Sequence, residues 1–393
     1  MACGAGCDHH MTHVQTLAGK QIVVAVTGSI AAVEGVKLIH ALRRRGAEVQ
    51  PVMSQAASGI ISPDALTYAS GRETITRLSG WVEHVRYCGD GGSAHLLLIA
   101  PCTANTISKI SCGIDDTPVT TFATTALGSQ KPIIIVPAMH HSMYRHPAVI
   151  GHIEQLKRWG IGIVDPKVEE SKAKIADIEE IVLQCERAIL GSAALKGKKV
   201  LITSGPCQEP VDDIRILTTR SSGEMGRALA LQAFRLGAEV TVVHQDTFPC
   251  VNNMYAETAE DMRRAVHRCF SERGVDIYIS AAAISDFAPD RMKGKIPSGN
   301  EINLVLKPLP KLIGEVLSRY NALIIAFKLG KNQKAKGKKM LGQGISMVLV
   351  NTPESMGSSR GDYVLLTRRR EIRLSGEKDM IAQAIWDAVN EGS

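Results

Sequence analysis

The 393-residue sequence has no apolar run approaching the roughly 18 residues that a membrane-spanning helix needs; its longest, at 96–100 and 133–137, have the length of buried strands. Aromatic residues are scarce, at 4% of the chain, which disfavours a protein that stacks nucleobases on its surface. The nine cysteines follow no regular spacing and spell out no disulfide framework, and the length suffices for cores that need no staple. No hydrophobic stretch of the signal-peptide kind stands near the first methionine. These absences exclude a helical membrane protein and a small secreted scaffold. A cytoplasmic protein with small-molecule substrates, and without membrane or nucleic-acid partners, is expected.

What is present begins with a modest positive charge. Lys and Arg outnumber Asp and Glu by 46 to 39, a net charge of +7, concentrated at residues 43–45, 196–199, 331–339 and 368–370. Solvated helix ends are the plainest explanation of such clusters, beside a phosphorylated substrate, a nucleotide or nucleic acid. At roughly 150 residues per domain the length suggests two or three domains.

Two segments open alike. Leu17-Ala18-Gly19-Lys20 leads into the apolar run 22–26 and Thr27-Gly28-Ser29; Leu195-Lys196-Gly197-Lys198 leads into 200–202 and Thr203-Ser204-Gly205. Each continues as a helical pattern that closes on Gly-Ala-Glu-Val, at Gly46 and at Gly237, where the helix C′ position needs φ > 0, and a second strand follows. Strand, turn, helix, glycine and strand make the βαβ unit of a parallel sheet. Further short buried strands are expected at 96–100, 132–136 and 161–164, then at 275–279, 322–326 and 346–350. The fold class is therefore α/β, with two doubly wound, mostly parallel-sheet domains. Residues 17–190 form one and 191–393 the other, joined by a short tether after a helix at 178–190, with a poorly ordered extension at 1–16. In that extension Cys3, Cys7, His9, His10 and His13 match no standard zinc spacing.

In the first domain Thr27-Gly28-Ser29-Ile30 opens a helix at a strand's carboxyl end. Backbone N–H groups and two hydroxyls there favour an anion, although an ordinary β–α turn explains the segment equally well. No Gly-x-Gly-x-x-Gly fingerprint follows either first strand. Pro101-Cys102-Thr103-Ala104-Asn105-Thr106 and Pro137-Ala138-Met139-His140-His141-Ser142-Met143 put polar side chains in the crevice beyond strand ends. With Ser54 after the second strand, these segments resemble motifs of the homo-oligomeric flavin-containing cysteine decarboxylases, a flavodoxin-like family. The resemblance implies FMN held by Gly28, Ser29, Ile30, Ser54, Thr103, Asn105 and Thr106. Substrate contacts are implied from His140 and Met143, with Lys172 and Lys174 as phosphate clamp or proton donor, and trimers of this domain are implied as well. It also implies a catalytic histidine before the strand at 96, in a reaction that oxidises the substrate thiol to a thioaldehyde, which then loses CO₂. His84 is the better match, followed by an apparent insertion at 89–93, and an imidazole suits such acid–base work. His95, on a buried-looking strand, reads as a core histidine. Two positions depart from the family: its substrate-loop asparagine is His140, and the flap at 168–175, which normally carries a proton-donating cysteine, has none.

The second domain carries Thr203-Ser204-Gly205-Pro206-Cys207-Gln208-Glu209-Pro210, then Ser221-Ser222-Gly223-Glu224-Met225-Gly226 at a helix start. Ser280-Ala281-Ala282-Ala283-Ile284-Ser285-Asp286 and Lys293-Gly294-Lys295 follow. This series resembles the phosphopantothenate–cysteine ligases, of Rossmann-like fold. The resemblance implies a nucleoside triphosphate, usually CTP and with ATP open, carried with Mg²⁺ as co-substrate and bound by Ser280, Ala281, Ala282, Asp286, Lys295, Lys307, Pro308, Phe327, Lys339 and Gln343. Lys295 would stabilise charge at the α-phosphate, and 4′-phosphopantothenate and cysteine would be joined through an acyl-nucleotide. An asparagine of the family that acts in the second half-reaction aligns with Thr219, which can still hydrogen-bond but lacks the amide's donor–acceptor pair. A family histidine aligns with Arg220 and a lysine with Glu224. Both series on one chain resemble the bifunctional coenzyme A biosynthesis family in an archaeal-like version, a homo-oligomer in which ligase dimers link decarboxylase trimers into a dodecamer. Two other readings stay open: a flavoprotein decarboxylase for another cysteinyl acid with a degenerate ligase half, and an FMN- and nucleotide-binding regulator without turnover.

Overall fold

The β-branched run that opens each half becomes a central strand of a parallel sheet. In the computed structural model, which describes residues 14–169, 172–191, 194–299, 301–330, 332–352 and 357–391, the chain divides into two units, residues 1–190 and 191–393. Each is described here by itself.

The first unit holds strands β1 (Gln21–Val26), β2 (Glu48–Met53), β3 (Leu96–Cys102), β4 (Ile133–Pro137) and β5 (Gly162–Ile163), all parallel, in the order β2-β1-β3-β4-β5. Helices cover both faces, which is why β3 is buried at every position and reads as an unbroken apolar run. Alternate residues of one strand serve opposite cores: Ile22, Val24 and Leu98 pack with Leu38 and Ile181, whereas Val23, Leu97 and Ile135 pack with Ile107 and Phe122. Helix α1 (Gly35–Arg44) buries Leu38, Ile39 and Leu42 and ends before Gly46, whose φ of +91° is the left-handed turn the sequence calls for. Helices α2 (Ala104–Ser111), α3 (Pro118–Gly128), α4 (Pro147–Arg158) and α5 (Ile178–Leu190) complete the layers.

Two expectations change. The turn at 27–30 opens a 3₁₀ segment, Ile30–Glu34, and α1 begins only afterwards. Chain order also begins before residue 17. The Thr16 hydroxyl donates to Glu186, a fully buried carboxylate on α5 that also faces the Arg45 guanidinium at 3.6 Å, and a buried charge of this kind is costly without such partners. Cys3, Cys7, His9, His10 and His13 lie outside the described residues.

The second unit holds β6 (Lys199–Thr203), β7 (Glu239–His244), β8 (Asn252–Tyr255), β9 (Ile277–Ser280), β10 (Leu323–Leu329), β11 (Met347–Asn351), β12 (Arg360–Leu366) and β13 (Glu371–Glu377). Their order is β8-β7-β6-β9-β10-β11-β12-β13, parallel as far as β11 and antiparallel for the last two. The antiparallel pair was not foreseen from sequence, because β13 alternates half-buried and exposed positions and shows no apolar run. Helices α6 (Glu224–Arg235), α7 (Ala259–Arg273), α8 (Leu312–Arg319), α9 (Lys334–Gly342) and α10 (Lys378–Glu391) flank the sheet, and Gly237 at the end of α6 has φ +97°. Among the described residues no helix is long and apolar enough to cross a membrane.

Helix α10 docks on α6 through Trp386, which is fully buried and donates its indole N–H to the Leu229 carbonyl at 3.0 Å. Trp386→Ala removes the largest buried side chain of this interface and should lower the stability of the second unit by about 3–5 kcal/mol, measured by denaturant unfolding.

Candidate functional sites

In the first sheet the strand order reverses between β1 and β3, and the crevice that such a reversal opens in an α/β sheet falls at the carboxyl ends of these two strands. Buried Thr27 stitches the two loops together. Its N–H and its hydroxyl both donate to the Pro101 carbonyl, at 3.2 and 2.8 Å, and the hydroxyl oxygen accepts from the Thr103 N–H at 3.0 Å. Gly28 lies so close to Ala56 that an added Cβ would stand 2.6 Å from the Ala56 Cβ, so no larger residue fits. Ser29 caps the 3₁₀ segment by position, yet its side chain makes no capping bond and is left for other partners. Ser54 caps the next turn by accepting from the Ala57 N–H at 3.3 Å. Thr103 caps α2, accepting from the Thr106 N–H at 3.3 Å with the two hydroxyls 3.1 Å apart, and Asn105 is exposed beside it. The crevice thus gathers Gly28, Ser29, Ser54, Thr103, Asn105 and Thr106 around strand ends, while Ile30 turns outward, 78% exposed.

The loop after β4 is continuous with this crevice, since Pro137 pairs with Cys102 and the Ala138 N–H donates to the Cys102 carbonyl at 3.0 Å. Its next residues, Met139–His140, form a strand antiparallel to Lys172–Lys174, which in turn pairs with Lys167–Glu169. Loop and flap are therefore one small sheet, with His140 in register with Lys172. The side chains of Lys172 and Lys174 lie outside the description. His140 accepts from the Ser142 N–H at 3.3 Å, and Met143 is half exposed on the following turn. Cys102, at the end of β3, is fully buried, and burial pushes its thiol pKa well up, so it is no substitute for a flap cysteine.

His84 stands in the first turn of the helix Glu83–Cys88, and its Nδ1 is buried without a hydrogen-bond partner among the described residues. His95 is not a core residue. It is exposed at the amino end of β3, where its ring Nδ1 accepts from the Gln21 N–H at 3.1 Å, and it stands at the opposite end of the sheet from the crevice. The apolar run that made it look buried starts one residue later.

In the second sheet the reversal falls between β6 and β9. The loops after these strands are joined by the Ala283 N–H to the Gly205 carbonyl at 2.9 Å and by the Cys207 N–H to the Ala283 carbonyl at 3.2 Å. Gly223 takes φ +72° ahead of α6, and at Gly226 a Cβ would meet the Ser204 Oγ at 2.2 Å, so these two glycines let α6 start directly on the end of β6. A cavity of about 640 Å³ opens beside them. Ser280, Ala281, Ala282, Asp286, Phe327, Lys339 and Gln343 all line it, together with the Ser221–Gly226 turn. Phe327 stands edge-on to Tyr363 of β12 with ring centres 6.3 Å apart. Five lysines, at 311, 328, 336, 339 and 378, line the cavity against two carboxylates, Glu224 and Asp286.

Four of the expected residues are not brought into this cavity. Thr219 is exposed on the loop two residues before its wall, and Lys307 and Pro308 are exposed on the strand pair Phe287–Pro289 and Leu306–Pro308, where Lys307 pairs with Asp290 at 2.7 Å. Lys295 is exposed on a segment tied elsewhere. The N–H groups of Gly294 and Ile296 donate to Asp213 and Asp212, both at 3.0 Å, and Arg291 pairs with Asp213 at 3.0 Å. Conversely Tyr363, on β12, and Lys378, directly after β13, line the cavity although no expectation placed them there, because both depend on the antiparallel pair; Lys336 and Asn351 line it too.

The two halves thus define a protein class: a flavodoxin-like domain followed by a Rossmann-like domain, each with a ligand crevice where its strand order reverses. Residues 10–190 match the Flavoprotein family and residues 195–392 the DNA/pantothenate metabolism flavoprotein C-terminal domain. The coenzyme A biosynthesis bifunctional protein CoaBC of Thermococcus kodakarensis is 41% identical over 98% of this chain and 99% of its own length. That of Methanocaldococcus jannaschii is 35% identical over 97% and 96%. A crystal structure of the C-terminal domain of a CoaBC protein, 27% identical, covers 51% of this chain and 97% of its own with a TM-score of 0.43. The chain belongs to the bifunctional CoaBC family of coenzyme A biosynthesis, which unites a phosphopantothenoylcysteine decarboxylase with a phosphopantothenate–cysteine ligase.

Asp212 anchors the segment that carries Lys295. Burial alone would raise its pKa, but the N–H groups of Ile296, Ile214 and Arg215 and the Arg215 guanidinium outweigh that and hold the carboxyl well below the usual range. A depressed folded pKa contributes stability above the unfolded value near 3.9, and that contribution is lost as pH falls toward the folded one. Asp212→Asn should therefore be less stable than the native protein at pH 7, with the gap closing below about pH 4 in denaturant unfolding.

Proposed function

We propose that the second unit joins cysteine to 4′-phosphopantothenate at the expense of CTP, with Mg²⁺ carried on the nucleotide phosphates, and that the first unit decarboxylates the resulting cysteinyl product with FMN, in the cytoplasm. The observation that carries this reading is the pair of switch-point crevices, one lined by hydroxyls and backbone N–H groups, the other by lysines.

The first crevice fits a flavin monophosphate on its own geometry. Gly28, packed without room for a Cβ, the unengaged Ser29 side chain and the capped start of α2 at Thr103 surround a place where N–H groups and hydroxyls can receive a phosphate. Gly28, Ser29, Ile30, Ser54, Thr103, Asn105 and Thr106 would hold the group, which when bound supplies the reversible two-electron oxidation of the substrate thiol. His84 would move the proton: its buried Nδ1 has no hydrogen-bond partner among the described residues, and a ligand could supply one. His140 and Met143 would contact the substrate through the loop paired to the flap, with Lys172 and Lys174 clamping its phosphate. Trp81, 81% exposed, and Val85 flank His84 with apolar surface suited to a neighbouring copy, in keeping with trimers of this unit. Ile214, Ile216 and Leu306 expose similar surface on the small strand pairs of the second unit, in keeping with dimers there and a dodecamer overall.

In the ligase cavity Ser280, Ala281, Ala282, Asp286, Phe327, Lys339 and Gln343 would receive the nucleotide, the excess of lysine offsetting the triphosphate charge. Lys295 would act at the α-phosphate from its exposed segment, with Lys307 and Pro308 on the strand pair Phe287–Pro289 and Leu306–Pro308, and Thr219 would act when cysteine attacks.

The purified protein should be yellow and release FMN on denaturation; a colourless protein that ignores added FMN refutes the decarboxylase half. His84→Asn should keep the chromophore and abolish CO₂ release while pyrophosphate release continues. CTP should yield pyrophosphate only when 4′-phosphopantothenate is present, and Lys295→Gln should slow that release by about 10²–10³ while leaving the chromophore bound. Near-normal release from Lys295→Gln would move the phosphate contact to Lys336 and Lys339 inside the cavity.

A further inference from the structure

Lys378 is the first residue of α10, and it is only 7% exposed. A lysine so buried needs a partner, and its Nζ stands 2.9 Å from Oε2 of Glu224, the first residue of α6. Both residues line the 640 Å³ cavity, beside Ser221, Ser222 and Gly223. The pair is not sealed: the Lys378 side chain is 8% exposed but that of Glu224 is 46% exposed, so the carboxylate faces the cavity and its solvent. Nor is it what joins the two helices, because Trp386 and its bond to Leu229 lie further along α10, with Ile385 and Val389 buried beside them. The Lys378 backbone is held separately, its N–H donating to the Ser359 carbonyl at 2.9 Å.

We propose that Lys378 is a positioning residue for the ligand of this cavity. Its ammonium exchanges the Glu224 carboxylate for an oxyanion of the bound ligand at the Ser221-Ser222-Gly223 turn. The exchange is set up by three features. The lysine is already desolvated, so an incoming oxyanion meets a cation that has lost most of its water. Its backbone is fixed, so little freedom is lost on binding. Glu224 is solvated enough to swing away and be rehydrated. Glu224 then acts as a placeholder that keeps the cation in the wall of the empty cavity and repels anions that cannot displace it. The oxyanion belongs either to the nucleotide phosphates or to the phosphorylated acid, and both carry the same chemistry. The inference rests on the ligase reading above.

The test uses the full-length flavin-loaded protein, titrated calorimetrically with CTP and Mg²⁺ in one arm and with 4′-phosphopantothenate in the other. Lys378→Met should weaken one of the two ligands by about tenfold or more, the weight of one charge-assisted hydrogen bond, and thereby name the source of the oxyanion. Glu224→Gln should bind that same ligand as tightly as the native protein or more tightly, because a competing anion has gone. Lys378→Arg should retain most of the affinity. A pair that merely braces the fold gives the other pattern: both Lys378→Met and Glu224→Gln weaken binding and lower Tm together, and that result overturns the proposal. Unchanged affinity for both ligands in Lys378→Met overturns it too. If Lys378→Met does not fold, the sign of the change in Glu224→Gln decides, tighter or equal binding supporting the exchange and weaker binding refuting it. A native protein that binds neither ligand refutes the ligase reading itself.

Discussion

Thr27 holds one acceptor and one donor of the neighbouring loop at once, and the first site is built around that junction. In a parallel sheet with helices on both faces, the crevice lies where consecutive strands stop advancing in one direction and start in the other. The loops on either side leave in opposite directions, and nothing in the ladder itself ties them together. Thr27 does so by bonding Pro101 and Thr103, which places the start of α2 next to the Gly28 turn. The second unit ties its loops through backbone bonds at Gly205, Cys207 and Ala283. Both units then bring a helix close to the end of the first strand, and in both a glycine marks the spot where a side chain would collide.

The two crevices differ in how they treat charge. The first offers hydroxyls and backbone N–H groups, uncharged donors that suit a small anion whose charge is spread over few oxygens. The second offers lysines in excess of carboxylates, as a more highly charged ligand requires. In it the burial of Lys378 against a half-exposed Glu224 keeps one cation preformed while the others stand on α8, α9 and β10.

The flap of the first unit is tied to the substrate loop by strand pairing between His140 and Lys172. Main-chain bonds of this kind do not depend on side-chain identity. The flap can therefore keep its place in the fold although the cysteine expected from the family resemblance is missing. Among the described residues His141 Nδ1 is buried without a partner, a second imidazole next to His140.

The sequence by itself determined the two βαβ starts, the parallel strands and the ends of α1 and α6, because apolar runs buried on both faces and glycines at φ > 0 are local signatures. It also marked Gly28, Thr103, Gly226 and the Ser280–Asp286 loop, since small and capping residues after a strand carry their reason within a few positions of themselves. Tertiary structure alone decided the rest. His95 and Leu96 are adjacent in sequence, yet the sheet ends between solvent and core at that point, and no local pattern tells one side from the other. Lys295, Lys307 and Lys339 look alike as lysines in polar segments, but only Lys339 is carried on a helix that edges the cavity, whereas Asp212 and Asp290 hold the other two segments outside it. Lys378 and Glu224 are 154 residues apart, and their meeting depends on an antiparallel hairpin whose second, half-exposed strand has no apolar signature. Such pairings depend on where whole elements pack, which is set by the summed burial of their faces and not by any residue near the site.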